Sequence, residues 1–245
     1  IFEGEGGAVA RHASRRSDAA TTGSRGETPK KSAMNGVISL RLGTILRCLE
    51  SCECLIDVGT DHGLLPVAAV KTGVAQRAIA ADLRSQPLEG ARRTIAAAGL
   101  GDRVKPLLSD GLAALEEAGV RPPVDALAIA GMSGDTMVRI CDRAPNVVGA
   151  LAQIVVQPNS GIDVFRRWAF SNSWHLQKEV MLMENGRYFQ VLAFVPGHGD
   201  DPAYANASFS REELFQLGPK LLCPAAIHAA WFATQVARVG ALVEQ

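Results

Sequence analysis

Asp57, Asp61, Asp82 and Asp110 all stand at or just beyond the ends of short apolar runs, with Gly59 and Gly63 set around the first two. The stretch Leu55-Ile56-Asp57-Val58-Gly59-Thr60-Asp61-His62-Gly63-Leu64-Leu65-Pro66 reads as a strand entering a glycine turn and then a helix. Asp82 follows nineteen positions after Gly63, at the end of the next apolar run. In an α/β sheet this pattern suits a nucleoside-bearing ligand: the first turn lets the backbone approach, and the second strand offers a carboxylate to ribose hydroxyls. A dinucleotide site uses G-x-G-x-x-G, because closely spaced glycines admit a pyrophosphate to a helix N-terminus. Here Asp61 holds the middle position, and its charge repels a pyrophosphate, which disfavours NAD. S-adenosylmethionine fits better, with an α-ammonium, a sulfonium, an adenosine and no phosphate. A glycine pair alone is also compatible with a buried strand and turn that bind nothing.

The positioning elements follow from hydrophobic period and punctuation. Ser39 caps an expected helix over 40–50. Strands are expected at 54–58, 77–82, 104–108, 126–130 and 153–156, and helices at 63–72, 86–98 (closed by Gly99), 112–118, 135–143 and 162–171. Segments 176–183 and 188–194, joined through Asn185-Gly186, read as a β-hairpin. Five βα units closed by a hairpin give an α/β, doubly wound, Rossmann-like sheet, mostly parallel with an antiparallel C-terminal hairpin. Ligands bind such sheets beyond the carboxyl ends of the strands, where Asp61, Asp82, Asp110, Ser133 and Asn159 all fall. Ser210 to Glu213 carries a capping-box pattern, and a last helix over about 225–243 is expected to dock on the main domain.

The expected organisation is a disordered extension over 1–36, a ligand-binding domain over 37–196 and a loop with a helical segment over 197–245. Residues 1–36 are rich in Ala, Gly, Ser, Thr and Arg, without apolar periodicity. Their Arg/Ser content is compatible with an organellar transit segment, although four acids oppose it. The expected compartment is otherwise the cytoplasm. No apolar run approaches the roughly 18 residues that span a bilayer, so no membrane partner is expected. Cys48, Cys52, Cys54, Cys141 and Cys223 are odd in number and contain no C-x-x-C pair, which favours reduced packing thiols and no metal. Residues 37–245 carry 19 basic against 21 acidic side chains, with no basic stripe along the sequence.

These residues, taken in order, resemble the TrmK-type tRNA (adenine-22-N1)-methyltransferase family. Arg41-Leu42 is similar to its first helix, and residues 57–66 resemble its "D-I-G-S-D-H-A-Y-L-P" loop. Asp82 stands where the family usually has Glu. Ser109-Asp110-Gly111-Leu112, Ile129-Ala130-Gly131-Met132-Ser133-Gly134 and Gln157-Pro158-Asn159 are similar to "G-D-G-L", "I-A-G-M-G-G" and "Q-P-N". Six pieces in order are specific where each alone is weak. The resemblance implies methyl transfer from S-adenosylmethionine to N1 of an adenine in tRNA, with tRNA as the partner.

On that resemblance, Asp57, Gly59, Gly63, Asp82, Asp110, Gly111 and Arg41 belong to the cofactor. Gly131, Met132, Ser133, Gly134, Asn159 and Phe189 belong to the substrate side. Asp61 is the candidate to stabilise the cationic base, with His62 orienting it; helix capping by Asp61 and simple packing of His62 are the competing readings. The chain departs from the pattern at Ser133 (family Gly), Gly63-Leu64 (Ala-Tyr) and Phe189-Gln190 (Tyr-Glu). The segment after 196 is also shorter than the family's elongated helical region. Another nucleic acid, a small molecule, or a non-catalytic role in cofactor binding remain the alternatives.

Overall fold

A computed structural model describes residues 38–117, 124–223 and 225–243, with side chains as far as Val236. The expected extension over 1–36, and Ala118 to Pro123, lie outside the described residues. The chain alternates α1 (Leu40–Cys48), β1 (Cys52–Val58), α2 (Leu64–Thr72), β2 (Ala75–Asp82), α3 (Ser85–Ala97), β3 (Val104–Leu108), α4 (Ala113–Glu117), β4 (Ala126–Ala130), α5 (Gly134–Asp142), α6 (Pro145–Val148), β5 (Gln153–Gln157) and α7 (Ile162–Ser171). The hairpin β6 (Trp174–Glu184) and β7 (Arg187–Pro196) follows. Then come α8 (Arg211–Leu217), between 3₁₀ turns at Pro202–Tyr204 and Pro219–Leu222, and α9 (Ala226–Val243).

The strands form one sheet in the order β3-β2-β1-β4-β5-β7-β6. Strands β1 to β5 are parallel, and β7 joins β5 antiparallel. Central parallel strands are covered on both faces, so they carry continuous apolar runs rather than alternation. Leu55, Ile56, Ala78 to Ala81, Ala126 to Ile129 and Ile154 to Val156 are accordingly buried. The hairpin turns where both Asn185 (φ 51) and Gly186 (φ 73) take the left-handed backbone that two-residue turns demand. Sequence period therefore located these strands; it shortened β1, β2, β6 and β7 by up to two residues at an end and β5 by one.

The thiols of Cys48, Cys52, Cys54 and Cys141 are free and buried. Burial pushes Cys52 and Cys141 up to about 12 and Cys54 to about 11, as inert packing thiols require. Among the described residues, no helix is long and apolar enough to cross a membrane.

The segment after β7 is fastened by Arg166, a guanidinium only 1% exposed. It donates to Glu179 Oε1 from Nε (2.9 Å) and Nη2 (2.7 Å), to Gln190 Oε1 and to the Phe215 carbonyl. Tyr204, Phe170 and Phe215 stack beside it. The final helix touches β6 of the main domain, but no side chain among residues 226–236 is buried, and the Trp231 and Phe232 rings lie with centroids 4.8 Å apart. Alanines at 226, 229, 230 and 233 leave that helix little apolar area with which to dock.

Candidate active site

The strand order reverses between β1 and β4, and the loops that leave their carboxyl ends part to form a crevice. Two cavities lie in it. The first, about 440 Å³, is lined by Arg41, Leu42, Asp57, Gly59, Asp61, Leu65, Ala130, Gly131, Asn159, Glu184, Arg187 and Phe189. The second, about 390 Å³, is lined by Val58, Gly59, Asp82, Leu83, Arg84, Ser109, Asp110, Gly111, Met132, Thr136, Arg139, Ile140 and Arg143. Gly59 belongs to both. Its φ is +76°, and a Cβ there would meet the Met132 Cε at 2.3 Å. Backbone conformation and closeness to Met132 both call for glycine.

Asp57 sits on the central strand, 5% exposed, yet faces the first cavity. Burial pushes its carboxyl up to about 6; the Thr60 hydroxyl opposes this, while the charges of Asp82 and Asp61 add to it. None of these influences is a cation, so a ligand with a positive group finds an uncompensated anion. Asp61 is held differently. Its side chain is 84% exposed, with Oδ1 3.4 Å from His62 Nε2. The helix-capping reading is not what is found: Gly63 holds the N-cap position of α2, without a side-chain cap. His62 has a left-handed backbone (φ 57°), and its Nδ1 lies 2.3 Å from where a Cβ on Gly90 would stand. The ring is thus packed on α3 with its other nitrogen toward Asp61, and it lines neither cavity.

Asp82 ends β2, 7% exposed, and its Oδ1 accepts from the Arg84 backbone N–H at 2.8 Å. Asp110 is exposed and accepts from Arg143 Nη1 at 2.7 Å. Gly111 lets the loop pass Ile140, whose Cγ2 would be 2.9 Å from an added Cβ. Arg41 is half-buried on α1. Its Nη1 donates to Gln157 Oε1 at 2.7 Å, and its guanidinium lies 5.7 Å from the Phe189 ring centroid.

Gly131, Asn159 and Phe189 therefore share the first cavity with Asp57, Asp61 and Arg41, while Met132 joins Asp82, Asp110 and Gly111 in the second. Gly63, Ser133 and Gly134 line neither. Gly63 packs on Ala91, Ser133 caps α5 by accepting from Thr136 N–H, and a Cβ on Gly134 would come 1.9 Å from the Gly161 carbonyl oxygen. Sequence reading missed Gln157, Glu184, and the arginines 84, 139, 143 and 187 at the cavity rims. An amide closing the apolar run Ile154-Val155-Val156 was a signal for Gln157, since buried amides need partners. The arginines gave none, being scattered over a hundred positions.

Comparison with known proteins identifies the chain's relatives. The protein family described as "Methyltransferase domain" matches residues 38–192. The tRNA (adenine(22)-N(1))-methyltransferase of Bacillus subtilis (strain 168) is 30% identical over 184 residues, covering 75% of this chain and 74% of the relative. The crystal structure of the B. subtilis m1A22 tRNA methyltransferase TrmK superposes with a TM-score of 0.75 at 27% identity, over 85% of this chain and 86% of that one. Streptococcus pneumoniae Sp1610, solved in complex with S-adenosyl-L-methionine, superposes with a TM-score of 0.73 at 26% identity, over 83% and 90% of the two chains. The chain belongs to the family of the tRNA (adenine(22)-N(1))-methyltransferases.

Proposed function

We propose that this protein transfers a methyl group from S-adenosylmethionine to N1 of an adenine in tRNA. The observation that carries the reading is the pair of cavities meeting at Gly59, with five carboxylates along them, in a chain of this family. The cofactor fits the residues present. Asp57 would take its α-ammonium, Arg41 its α-carboxylate, Asp82 the ribose diol, and Asp110 with Gly111 the adenine end; Gly59 gives close approach. A pyrophosphate fits worse, because the loop that would cradle it carries Asp57 and Asp61.

When bound, S-adenosylmethionine supplies an electrophilic methyl on a sulfonium. Adenine N1 has an in-plane lone pair and no proton to lose before attack, so no general base is required. What the protein must supply is alignment and negative potential, because the base becomes cationic as the bond forms. Asp61 would provide that potential, and His62, wedged on Gly90, would keep it facing the cavity. An N1 paired inside an RNA helix is hidden, so the target base must be unpaired or extruded. Phe189, held under Arg41, would give that base a face to stack on. Arg41, Arg84, Arg139, Arg143 and Arg187 ring the cavities and suit phosphates on either side of such a base.

The test is transfer of labelled methyl from S-adenosylmethionine to bulk tRNA, with Asp61→Ala alongside and the modified nucleoside identified. We expect 1-methyladenosine, with kcat lowered about tenfold or more in the variant. Cofactor binding without any tRNA methylation would reject the substrate and keep the fold.

A further inference from the structure

Gln157 closes β5 and is fully buried. Its neighbours decide which way round its amide sits. Arginine has only donors, so the atom 2.7 Å from Arg41 Nη1 must be the carbonyl oxygen Oε1. The Pro158 carbonyl only accepts, so Nε2 must be the atom 3.0 Å from it. The same Nε2 donates to Asn159 Oδ1 at 3.1 Å, and Asn159 Nδ2 donates to the Gly131 carbonyl at 2.9 Å. Every fixed end of this relay is a group that cannot exchange roles, so both carboxamides have one orientation. Backbone bonds from Gly131 N–H to the Gln157 carbonyl (3.0 Å) and from Asn159 N–H to the Met132 carbonyl (2.8 Å) lock the two loops together.

We infer that Gln157 is a positioning residue, turning Asn159 so that the first cavity meets an N–H donor rather than a carbonyl acceptor. Asn159 is exposed on the cavity wall. Its oxygen is engaged by Gln157 and one N–H by Gly131, which leaves the second N–H for a ligand. The group it serves is a hydrogen-bond acceptor: a carboxylate oxygen of the cofactor, or an acceptor of the target base other than the attacking nitrogen, whose lone pair must stay free for the methyl. The inference rests on the methyl-transfer reading for its kinetic test only.

The experiment is a double-mutant cycle on the full chain, using Gln157→Glu and Asn159→Ala. A glutamate at position 157 keeps the volume and still accepts from Arg41 but has no donor, so the Asn159 amide must reverse. Each single variant is expected to lose about tenfold or more in kcat/KM, the scale of one uncompensated buried polar group. The double variant should be no worse than Asn159→Ala alone, within about twofold. A rise in KM for S-adenosylmethionine assigns the acceptor to the cofactor carboxylate; a rise in KM for tRNA, or a fall in kcat, assigns it to the base. Losses that multiply would overturn the inference, as would an unchanged kcat/KM in Asn159→Ala. Thermal unfolding checks each variant, and Gln157→Met, which removes the donor without burying a charge, replaces Gln157→Glu if that variant does not fold. If wild-type protein fails to methylate tRNA, the same cycle is read by calorimetry with S-adenosylhomocysteine. Non-additive loss of affinity then supports the Gln157–Asn159 unit independently of the substrate, and additive or absent loss overturns it.

Discussion

Replacing Asp57 with Asn should make the empty protein more stable and the cofactor bind less well. Asp57 is held charged on the central strand, where burial moves its carboxyl from the ordinary 3.8 up to about 6. Carrying that charge costs the fold about 3 kcal/mol at pH 7 and above. Asn keeps the shape and most of the hydrogen-bonding capacity but not the charge. After an allowance of about 1 kcal/mol for an imperfect amide fit, a net gain of about 1–2 kcal/mol is expected. For a domain of this size each kcal/mol shifts Tm by about 2–4 °C. The sign with pH is fixed. The carboxyl's favourable protonated form is fully present below 3.8, and the penalty grows as pH rises from there to about 6, then stays constant.

The assay is therefore thermal unfolding of wild type and Asp57→Asn between pH 4.5 and 8, without cofactor, together with calorimetric titration of S-adenosylmethionine at pH 7.5. The variant should melt higher at pH 7.5, and by pH 5 it should lose about 1.4 kcal/mol of its advantage, most of the net gain. Cofactor affinity should fall about tenfold to a hundredfold, the scale of one charge-assisted hydrogen bond to the α-ammonium. A variant that melts lower at every pH, or a stability difference that does not change with pH, would refute the argument that burial sets this carboxyl. Unchanged cofactor affinity would refute its assignment to the ammonium.

Further consequences can be checked separately. Gly59→Ala forces a non-glycine residue to φ +76° and displaces the Met132 methyl; a stability loss of about 1–2 kcal/mol in chemical unfolding, with weakened cofactor binding, is expected. Arg166→Met leaves Glu179, whose side chain is 0% exposed, without its cation. A loss of about 3–5 kcal/mol is expected, and Tm should fall by more than for any surface arginine. Arg139→Ala combined with Arg187→Ala should weaken tRNA binding and flatten the log–log salt dependence by about one for each phosphate no longer neutralised, while S-adenosylmethionine affinity stays as in wild type.

The parts of this fold that sequence exposes are those set by local physics. Strands β3 and β4 and helix α7 appear at their sequence-expected bounds, because short apolar runs end abruptly at Ser109, Gly131 and Asn172. Asp57, Gly59, Asp61, Asp82 and Asp110 were legible because a doubly wound sheet puts every strand's carboxyl end on one edge. Ser133 and Gly134 lie in the same loop as Gly131, yet they serve helix capping and the close approach of Gly134 to Gly161. Nothing local separates a glycine that faces a cavity from one that faces another backbone. The relay from Arg41 through Gln157 to Asn159 spans 118 positions in sequence, and α9 is helical by propensity but gains little by burial. Both depend on partners that only the folded chain brings near.

Net charge is a poor guide for a related reason. The chain is formally neutral, and residues 37–245 hold slightly more acid than base, yet a cationic cofactor and a polyanionic RNA ask for opposite signs at one crevice. Side-chain length resolves the conflict. The aspartates are short and sit on or just after strands β1, β2 and β3; burial holds Asp57 and Asp82 at the crevice floor, while Asp61 and Asp110 stand exposed. The arginines are long and rise from α1, the start of α3, the end of α5 and the hairpin, so their charges reach the rim. Local charge is thus uneven: no cation offsets buried Asp57, while Asp110 pairs with Arg143 at 2.7 Å and Asp82 lies 3.7 Å from Arg84, and a sum along the sequence averages these differences away. Neutral composition is therefore no argument against RNA binding here; the relevant quantity is the sign of the charge at each depth of the crevice.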